Sequence, residues 1–172
     1  MADKVEKSVG IIVLTRIPEM GLVAILRERG WINPKKADYR ESWPGGCQVT
    51  AHGKLQEDDD FYDALFREIT EELGEDASGR IRDHANELVE VFRLQKENKN
   101  VVTYAIKLEP SFIEDIRLGP ESGAIRLVRP EEANSIIDLF SLDKSTGVQY
   151  RRTIAMFPDE KQAVINAFAR FS

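Results

Sequence analysis

The sequence is poor in the residues that build disulfides and zinc sites. Its 172 residues include one cysteine, Cys47, and two histidines, His52 and His84. A single cysteine excludes an internal disulfide and a zinc cage of cysteines. Cys47 directly follows two glycines, and we interpret it as an inert small residue rather than a nucleophile. His52 could reach the mouth of a site, but we assign it no catalytic role.

The sequence also lacks a basic excess and a long apolar run. Its formal net charge of −6 argues against general binding to nucleic acid or to a membrane surface. A small anionic substrate stays compatible with this charge where a cation mediates. The first residues, MADKVEKSVGIIVL, mix acids with lysines around a short apolar run, unlike a signal peptide or a membrane span. We therefore expect a cytoplasmic protein.

Strand and helix patterns are mixed along the chain. β-branched runs predict two hairpins, 8–17 with 22–29 and 87–94 with 101–108, and a short strand at 124–128. Helical patterns cover 59–73, 130–140 and 158–171, with a weaker one at 81–86. The stretch 47–58 has no clear period, so we predict a loop, with a short strand as the alternative. This order favours an α/β (α+β) fold, a sandwich around a mixed sheet.

We expect one domain over residues 1–172, since the length suits a single core and no repeat or linker interrupts it. The last segment, from about 142 to 172, is predicted to be a C-terminal helical extension.

The strongest helical pattern concentrates carboxylates on one side. Glu68, Glu71 and Glu72 in REITEELG stand at i, i+3 and i+4, so a helix places them on one face. Like charges at this spacing cost an isolated helix roughly 0.2–0.5 kcal/mol per pair. A solvated acidic face is the ordinary alternative. Arg67 before the first glutamate and Gly74 after the last favour a functional one. The apolar stripe that would hold the helix down is Tyr62, Leu65, Phe66, Ile69 and Leu73.

These residues resemble the box of the Nudix hydrolase family. The box reads Gly, five residues, Glu, seven residues, Arg-Glu, an aliphatic residue, any residue, Glu-Glu, any residue, Gly and an aliphatic residue. The matching positions are Gly53, Arg67, Glu68, Ile69, Glu71, Glu72 and Gly74. At ordinary residue frequencies the core of Arg, three Glu and Gly would arise by chance with a probability of ~10⁻⁴ over this chain. The resemblance implies a Nudix-type α/β/α sandwich around a mixed β-sheet.

Three positions bear on how well the box fits. Asp59 stands where the family has Glu, and Glu75 where it has an aliphatic residue. The family usually enters its box through a PGG-like strand end, and this chain has Pro44-Gly45-Gly46. We favour Gly46 as the box glycine, which makes the stretch before Gly53 an insertion and Gly53 a turn residue. The alternative is that Gly53 itself is the box glycine.

The resemblance implies a metal-dependent pyrophosphohydrolase. Its substrate would be a nucleoside diphosphate linked to another moiety, and a metal-activated water would attack a phosphorus. Two or three magnesium or manganese ions are implied, because hard cations bind carboxylate oxygens and share them with substrate phosphates. The implied metal ligands are Glu68, Glu72 and Glu71, with a proton acceptor as the alternative role for Glu71. A backbone carbonyl of Gly46, or of Gly45 as the alternative, would complete the set. The implied catalytic residues are Glu71, Glu72, Arg67 and Glu121.

Individual roles follow from the same resemblance. Arg67 would orient the glutamates together with Asp59; a pair with Glu71 four residues on is the structural alternative. Glu121, in GPESG, would supply a further metal ligand or the general base from a loop; a solvated turn residue is the alternative.

Substrate contacts are predicted on the second strand and the loop after it. Arg27 and Arg29 share one face of that strand and could meet a phosphate, and Trp31 could stack on a base. A solvated exterior for the arginines and core packing for the aromatic residues are the alternatives. The sequence lacks the signatures of the ADP-ribose, NADH and coenzyme A subfamilies, so it selects no substrate.

Two other functions on this fold stay open. A Nudix-like domain can bind a nucleotide as a sensor without cleaving it, although such domains generally lose box glutamates that this chain keeps. An isopentenyl-diphosphate isomerase would need cysteine and histidine before the box; GGCQVTAHG has both, at a spacing that does not match. The expected partner is a small nucleoside diphosphate derivative rather than a nucleic-acid polymer or a membrane, and a homodimer is left open.

Overall fold

The computed structural model describes residues 4–172, in which helices cover both faces of a sheet. The strands are β1 Glu6–Ile17, β2 Gly21–Arg29, β3 Cys47–Gln48, β4 Ala51–Lys54, β5 Val89–Lys96, β6 Lys99–Lys107, β7 Ser122–Val128, β8 Ile137–Asp138 and β9 Ala155–Met156. The α-helices are α1 Phe61–Leu73, α2 Glu75–Asp83, α3 Phe112–Asp115, α4 Pro130–Ala133 and α5 Pro158–Phe171.

The main sheet is mixed and is built around β1. Its strand order is β3-β2-β1-β6-β5, with β4 paired to β1 and β7 paired to β2. The β1–β6 pairing is parallel, and the other pairings in this sheet are antiparallel. Along one edge of β1, β2 pairs with residues 13–17 and β4 with residues 8–11. The sheet therefore separates between β2 and β4, and α1 packs beside β4.

Strand β1 supplies side chains to both apolar layers, as its continuous β-branched sequence predicts. Val9, Ile11 and Val13 face the layer formed with α1 and α2, whereas Ile12 and Leu14 face the layer formed with α5. A strand buried on both faces has no polar side to show, which explains its unbroken apolar run. The predicted α/β/α sandwich around a mixed sheet is confirmed.

Three predicted elements differ from the structure. The stretch 47–58 contains strands β3 and β4, because Val49 and Ala51 are buried in opposite layers and pairing with β1 and β2 overrides the weak local pattern. The predicted helix over 130–140 ends after one turn at Ala133, because Ile137 pairs with Ala155 in the short β8–β9 sheet. The weaker helix begins at Glu75, immediately after α1, rather than at Ile81.

The C-terminal helix α5 forms the second outer layer. Its buried face, with Ala163, Val164, Ala167 and Phe168, packs against the sheet. Pro158 stands in its first turn as predicted, where a missing N–H costs nothing. The division of the chain into a domain and an extension stays a prediction. No helix among residues 4–172 combines the length and the apolar character needed to cross a bilayer.

Candidate active site

Helix α1 fixes the direction of the acidic residues. Asp60 caps it by accepting a hydrogen bond of 2.7 Å from the backbone N–H of Asp63, and Gly74 ends it at φ 92°. That positive φ is one that glycine adopts without strain, and it lets α2 begin at once in a new direction. The apolar side lies in the core through Ala64, Leu65, Phe66, Ile69 and Leu73. Burial of this stripe turns the glutamates towards β4 and the neighbouring loops.

Gly53 lies directly beneath Glu68. A Cβ at Gly53 would stand 2.0 Å from Cδ and 2.4 Å from Cγ of Glu68, so the glutamate occupies the space of the missing side chain. Gly53 is inside β4 and pairs with Val9 of β1. The expectation that Gly53 is a turn residue in an inserted loop was therefore wrong. The structure favours the alternative, in which Gly53 is the close-packed glycine before the helix.

Arg67 ties the helix to the end of β4. One guanidinium nitrogen pairs with Asp59, and the other donates to the carbonyl of Lys54 at 2.9 Å. The second nitrogen also lies 3.5 Å from the carboxylate of Glu68. The Arg67 guanidinium holds the pKa of Asp59 below its usual value, so that pair is ionised at neutral pH. The shorter Asp59 therefore makes a firm contact at the position where the family has Glu.

Glu72 is buried against an arginine that the sequence gave no reason to connect with it. Its Oε2 lies 2.6 Å from the Arg27 guanidinium and 3.4 Å from the backbone nitrogen of His52. Only 7% of the Glu72 side chain is exposed. Burial raises the pKa of Glu72 to about 8, and the nearby Arg27 only partly opposes that rise. Arg27 can donate to the carboxyl group in either protonation state, so the contact persists when Glu72 takes up a proton.

Glu71 and Glu121 meet across the mouth of the site through one lysine. Lys35 Nζ lies 3.7 Å from Glu71 Oε2 and 3.9 Å from Glu121 Oε1. Glu121 is held by its backbone, since its carbonyl accepts from Gly30 N at 2.8 Å. Only 13% of its side chain is exposed, against 45% for Glu71. The predicted loop glutamate thus reaches the helix glutamates, although its chemical role stays a prediction.

The backbone carbonyl of His52, in β4, points towards the carboxylates of α1. In the β4–β1 ladder, Leu55 N donates towards β1, to the carbonyl of Lys7. Because directions alternate along an antiparallel pair, the backbone groups of His52 and Lys54 point the other way, towards α1. The Lys54 carbonyl meets Arg67 and the His52 N–H meets Glu72, as this alternation requires. The carbonyl of His52 therefore faces the carboxylates, which the sequence analysis had missed.

Gly46 has a different environment. Its carbonyl accepts a hydrogen bond of 2.8 Å from the backbone N–H of Arg29. A Cβ on Gly46 would stand 2.8 Å from Leu139 Cδ1, so this glycine permits close packing of the loop that enters β3. Its predicted role as a metal ligand stays a prediction, and the carbonyl of His52 is the alternative.

The predicted substrate contacts differ in how far they are buried. Arg27 is buried and donates to Glu72, to Gln48 Oε1 at 2.6 Å and to Ser122 Oγ at 2.8 Å. Arg29 is also largely buried; it lies 3.7 Å from Glu41 and stacks over the Phe157 ring at 5.4 Å. The solvated-exterior alternative was therefore wrong for both arginines. Trp31, by contrast, is 66% exposed on the loop after β2.

The single thiol of the chain is shielded from solvent. Cys47 is fully buried in the α5 layer, and burial raises the pKa of its thiol to about 12. A thiol in this state is a poor nucleophile at neutral pH, as expected for a packing residue.

The donor set suits a hard divalent cation, although its members are paired with cations of the chain. Among residues 4–172, no three acidic, histidine or cysteine side chains are already grouped as a metal cage. Glu72 contacts Arg27, Glu68 contacts Arg67, and Glu71 contacts Lys35. Carboxylate and carbonyl oxygens are the ligands that magnesium and manganese prefer, so the chemistry of the site fits such an ion.

Comparisons with solved structures place the fold among Nudix proteins. One similar structure is a complex of the C. elegans Ap4A hydrolase, at 14% identity and a TM-score of 0.53, covering 97% of each chain. Another is the Nudix domain of Shewanella oneidensis NrtR in complex with ADP ribose, at 10% identity and a TM-score of 0.58, covering all of this chain and 91% of that one.

A third similar structure is a MutT/nudix family protein from Enterococcus faecalis. The identity is 15% and the TM-score 0.59, over 99% of this chain and 63% of that chain. No protein-family model matches the chain, and no curated protein matches it. At these identities the likeness establishes the Nudix-type fold and leaves the activity to the residues of the site.

Proposed function

We propose that the protein is a cation-dependent hydrolase that cleaves a diphosphate bond in a nucleoside diphosphate derivative. The observation that carries the proposal is the convergence of Glu68, Glu71 and Glu72 on α1 with Glu121 from a separate loop. The likeness to a solved Ap4A hydrolase and to an ADP-ribose-bound domain supports the choice of substrate class. Cations bound between the acidic cluster and a polyanionic substrate would offset the repulsion between the two.

Magnesium or manganese would be held by Glu68, Glu71 and Glu72, with the carbonyl of His52 or Gly46 as a further ligand. When bound, such an ion offsets phosphate charge and makes a coordinated water more acidic. Glu72 sits deepest, beside Arg27. Because its burial favours the neutral acid, we expect the carboxyl group to lose its proton when an ion binds.

Several residues would prepare the site without touching the ion. Arg67 holds Glu68 at a defined distance from β4 through its contacts with Asp59 and Lys54. Glu121, partly shielded and within reach of Glu71 through Lys35, is the proposed general base that takes the proton of the attacking water. Removal of that proton makes water a competent nucleophile towards phosphorus.

The test is a panel of substrates with magnesium or manganese added. The panel should hold nucleoside di- and triphosphates, nucleotide sugars, dinucleoside polyphosphates and dinucleotide cofactors, with product release followed by phosphorus NMR. Cation-dependent turnover of at least one compound is expected. Tight binding of a nucleotide with no turnover of any compound would instead identify a non-cleaving sensor and contradict the hydrolase proposal.

A further inference from the structure

The guanidinium of Arg27 joins three elements from distant parts of the chain. One terminal nitrogen lies 2.6 Å from Glu72 Oε2 on α1 and donates to Gln48 Oε1 on β3 at 2.6 Å. The other donates to Ser122 Oγ, at the start of β7, at 2.8 Å. The planar fork of arginine fixes the directions of its donors, so these contacts set the relative positions of the three acceptors. An ammonium group in its place would be a point charge without this fixed geometry.

The backbone of Arg27 is itself fixed on both edges of β2. Arg27 pairs with Gln48 of β3 on one edge and with Ile125 of β7 on the other. Only 4% of its side chain is exposed. Because the side chain is held at its base and at its tip, a displacement of one contact residue is passed on to the others.

An irregularity in β7 aims Ser122 at this guanidinium. Ile125 lies opposite Arg27 in the β2–β7 ladder. Regular pairing would put Gly123 opposite Arg29, two residues on, but the register shifts and Ser122 takes that place. Cross-strand neighbours lie on one face of a sheet, so the shift brings Ser122 to the face of Arg27. Without the bulge the hydroxyl would point to the opposite face.

Ser122 directly follows the loop of residues 117–121, which we call the Glu121 loop because it carries the proposed general base. The middle of this loop is hydrogen-bonded to the last turn of α1, since the Gly119 N–H donates to the Glu72 carbonyl at 3.2 Å. Glu72 is therefore connected to the loop twice, through its own carbonyl and, by way of Arg27, through its carboxyl group. Glu121 lies between these two points of attachment, which limits where its carboxylate can go.

The Arg27 guanidinium has little capacity left for a substrate. Its two terminal nitrogens contact three side chains, and its Nε–H is buried with no acceptor among residues 4–172. Because the side chain is buried, a phosphate oxygen would have to displace one of these contacts in order to bind. The contacts therefore favour a role for Arg27 within the protein.

We propose that Arg27 is a positioning residue, whose guanidinium holds the Glu121 loop in a fixed place relative to Glu72 through its contact with Ser122. The proposal rests on the proposed function, because it assumes that Glu121 and Glu72 act in one reaction. Arg27 touches neither the cation nor the substrate in this role. The role differs from the phosphate contact predicted for Arg27 from the sequence, which would place the guanidinium on the substrate itself.

Steady-state kinetics on the best substrate of the panel test the contact with Ser122. Ser122→Ala removes the hydroxyl that accepts from Arg27. It should lower kcat about tenfold with KM within about twofold, because misplaced groups cost rate rather than affinity. Ser122→Thr keeps the hydroxyl and should restore most of that rate. Ser111→Ala is the matched control: it removes an exposed hydrogen bond from Arg80 to a serine, and it should leave kcat unchanged.

Arg27→Lys tests whether the hydroxyl acts through the guanidinium. This change keeps the charge beside Glu72 but loses the fork, so Ser122→Ala should have no further effect on kcat in the Arg27→Lys background. Additive losses from the two changes would overturn the proposal, as would full activity in Ser122→Ala. A raised KM with unchanged kcat in Arg27→Lys would identify a phosphate contact instead and would also overturn it. Where Arg27→Lys does not fold, the rates of Ser122→Ala and Ser122→Thr decide.

A second measurement detects the same connection in EDTA, without turnover. The backbone N–H of His52 lies 3.4 Å from Glu72 Oε2, so its NMR resonance reports the place of that carboxyl group. Ser122→Ala should shift this resonance when Arg27 is present and leave it unchanged in the Arg27→Lys background. An equal shift in both backgrounds, or none in either, would overturn the connection. A shift that depends on Arg27 in a protein that hydrolyses nothing would sustain the connection and overturn only the hydrolase.

Discussion

Gly53 and Glu68 share one space: a Cβ on the glycine would lie 2.0 Å from Cδ of the glutamate. Strand β4 therefore needs a residue without a side chain at the point where helix α1 crosses it. The contact places the glutamate carboxylate beside the backbone of β4, where the His52 carbonyl also points. It explains in packing terms why the chain has glycine at this position.

Gly53→Ala should expel Glu68 from its place. We expect at least a 100-fold loss of hydrolysis with the fold retained, because the new methyl group moves a side chain at the site rather than a core residue. The measurement is the steady-state rate on the best substrate of the panel. Gly79→Ala is the matched control: its Cβ would meet nothing within 4 Å on exposed α2, so it should keep activity and gain up to about 1 kcal/mol of stability. Full activity in Gly53→Ala would instead support Gly46 as the box glycine.

The burial of Glu72 predicts a pH-dependent stability for the cation-free protein. Its pKa is about 8 in the folded protein against an ordinary value of 4.5, so between these values the folded state holds the extra proton. The stabilisation is full below about pH 4.5 and is lost as pH rises through about 8. In EDTA, the unfolding free energy of the unchanged protein should fall relative to Glu72→Gln by up to about 1.4 kcal/mol per pH unit in that window. Parallel urea titrations from pH 5 to 8 check this, and a constant difference would contradict it.

The Arg67–Asp59 pair predicts an effect on rate rather than on folding. Asp59→Asn removes the charged partner that holds Arg67 near Glu68, so kcat should fall about tenfold with KM little changed. Asp58→Asn makes the same change of charge one residue earlier. Asp58 has φ 69°, a conformation that asparagine tolerates, so this control should be neutral. Equal rates in the two variants would show that Asp59 does not orient the site.

Lys35 predicts a competition with the divalent cation. Its ammonium group lies within 4 Å of both Glu71 and Glu121, so an incoming ion must displace it or share the carboxylates. Lys35→Gln should therefore bind Mn²⁺ several-fold more tightly, as measured by EPR of the free ion. Lys36→Gln is the control, because Lys36 contacts Glu41 and Ser42 instead. Weaker Mn²⁺ binding in Lys35→Gln than in this control would show that Lys35 supports the ion.

The sequence predicted what local patterns determine. Helix α1, its end at Gly74 and its apolar stripe follow from spacing and residue type, except that Tyr62, predicted in the stripe, is 44% exposed. The two hairpins follow from β-branched runs. Glu121 could be assigned to the site only through the family resemblance, and the structure brings it to Glu71. These features are determined by residues close together in the sequence, or by apolar burial that requires no particular contact residue.

What the sequence did not predict depends on tertiary contacts. Strand β4 is short, and its pairing with β1 is decided by packing under α1. A loop was therefore favoured for 47–58, with the short strand only as the alternative, and Gly53 was predicted to be a turn residue. The Arg27–Glu72 contact joins residues 45 positions apart, and no local pattern connects them. The cavity between the sheet and the first turn of α5 is lined by residues of β1, β4, β5, β6 and α5 together, so no single stretch of the sequence predicts it.

The most direct test of the account is the hydrolysis rate of Glu72→Gln beside that of Glu75→Gln, on the best substrate of the panel with magnesium. Glu72 is buried in the carboxylate cluster, whereas Glu75 is exposed at the start of the next helix. Both changes replace a carboxyl group with an amide of the same shape. A loss of several orders of magnitude in Glu72→Gln, with an unchanged rate in Glu75→Gln, is the predicted result. Equal activity in the two variants would contradict the assignment of this cluster as the active site.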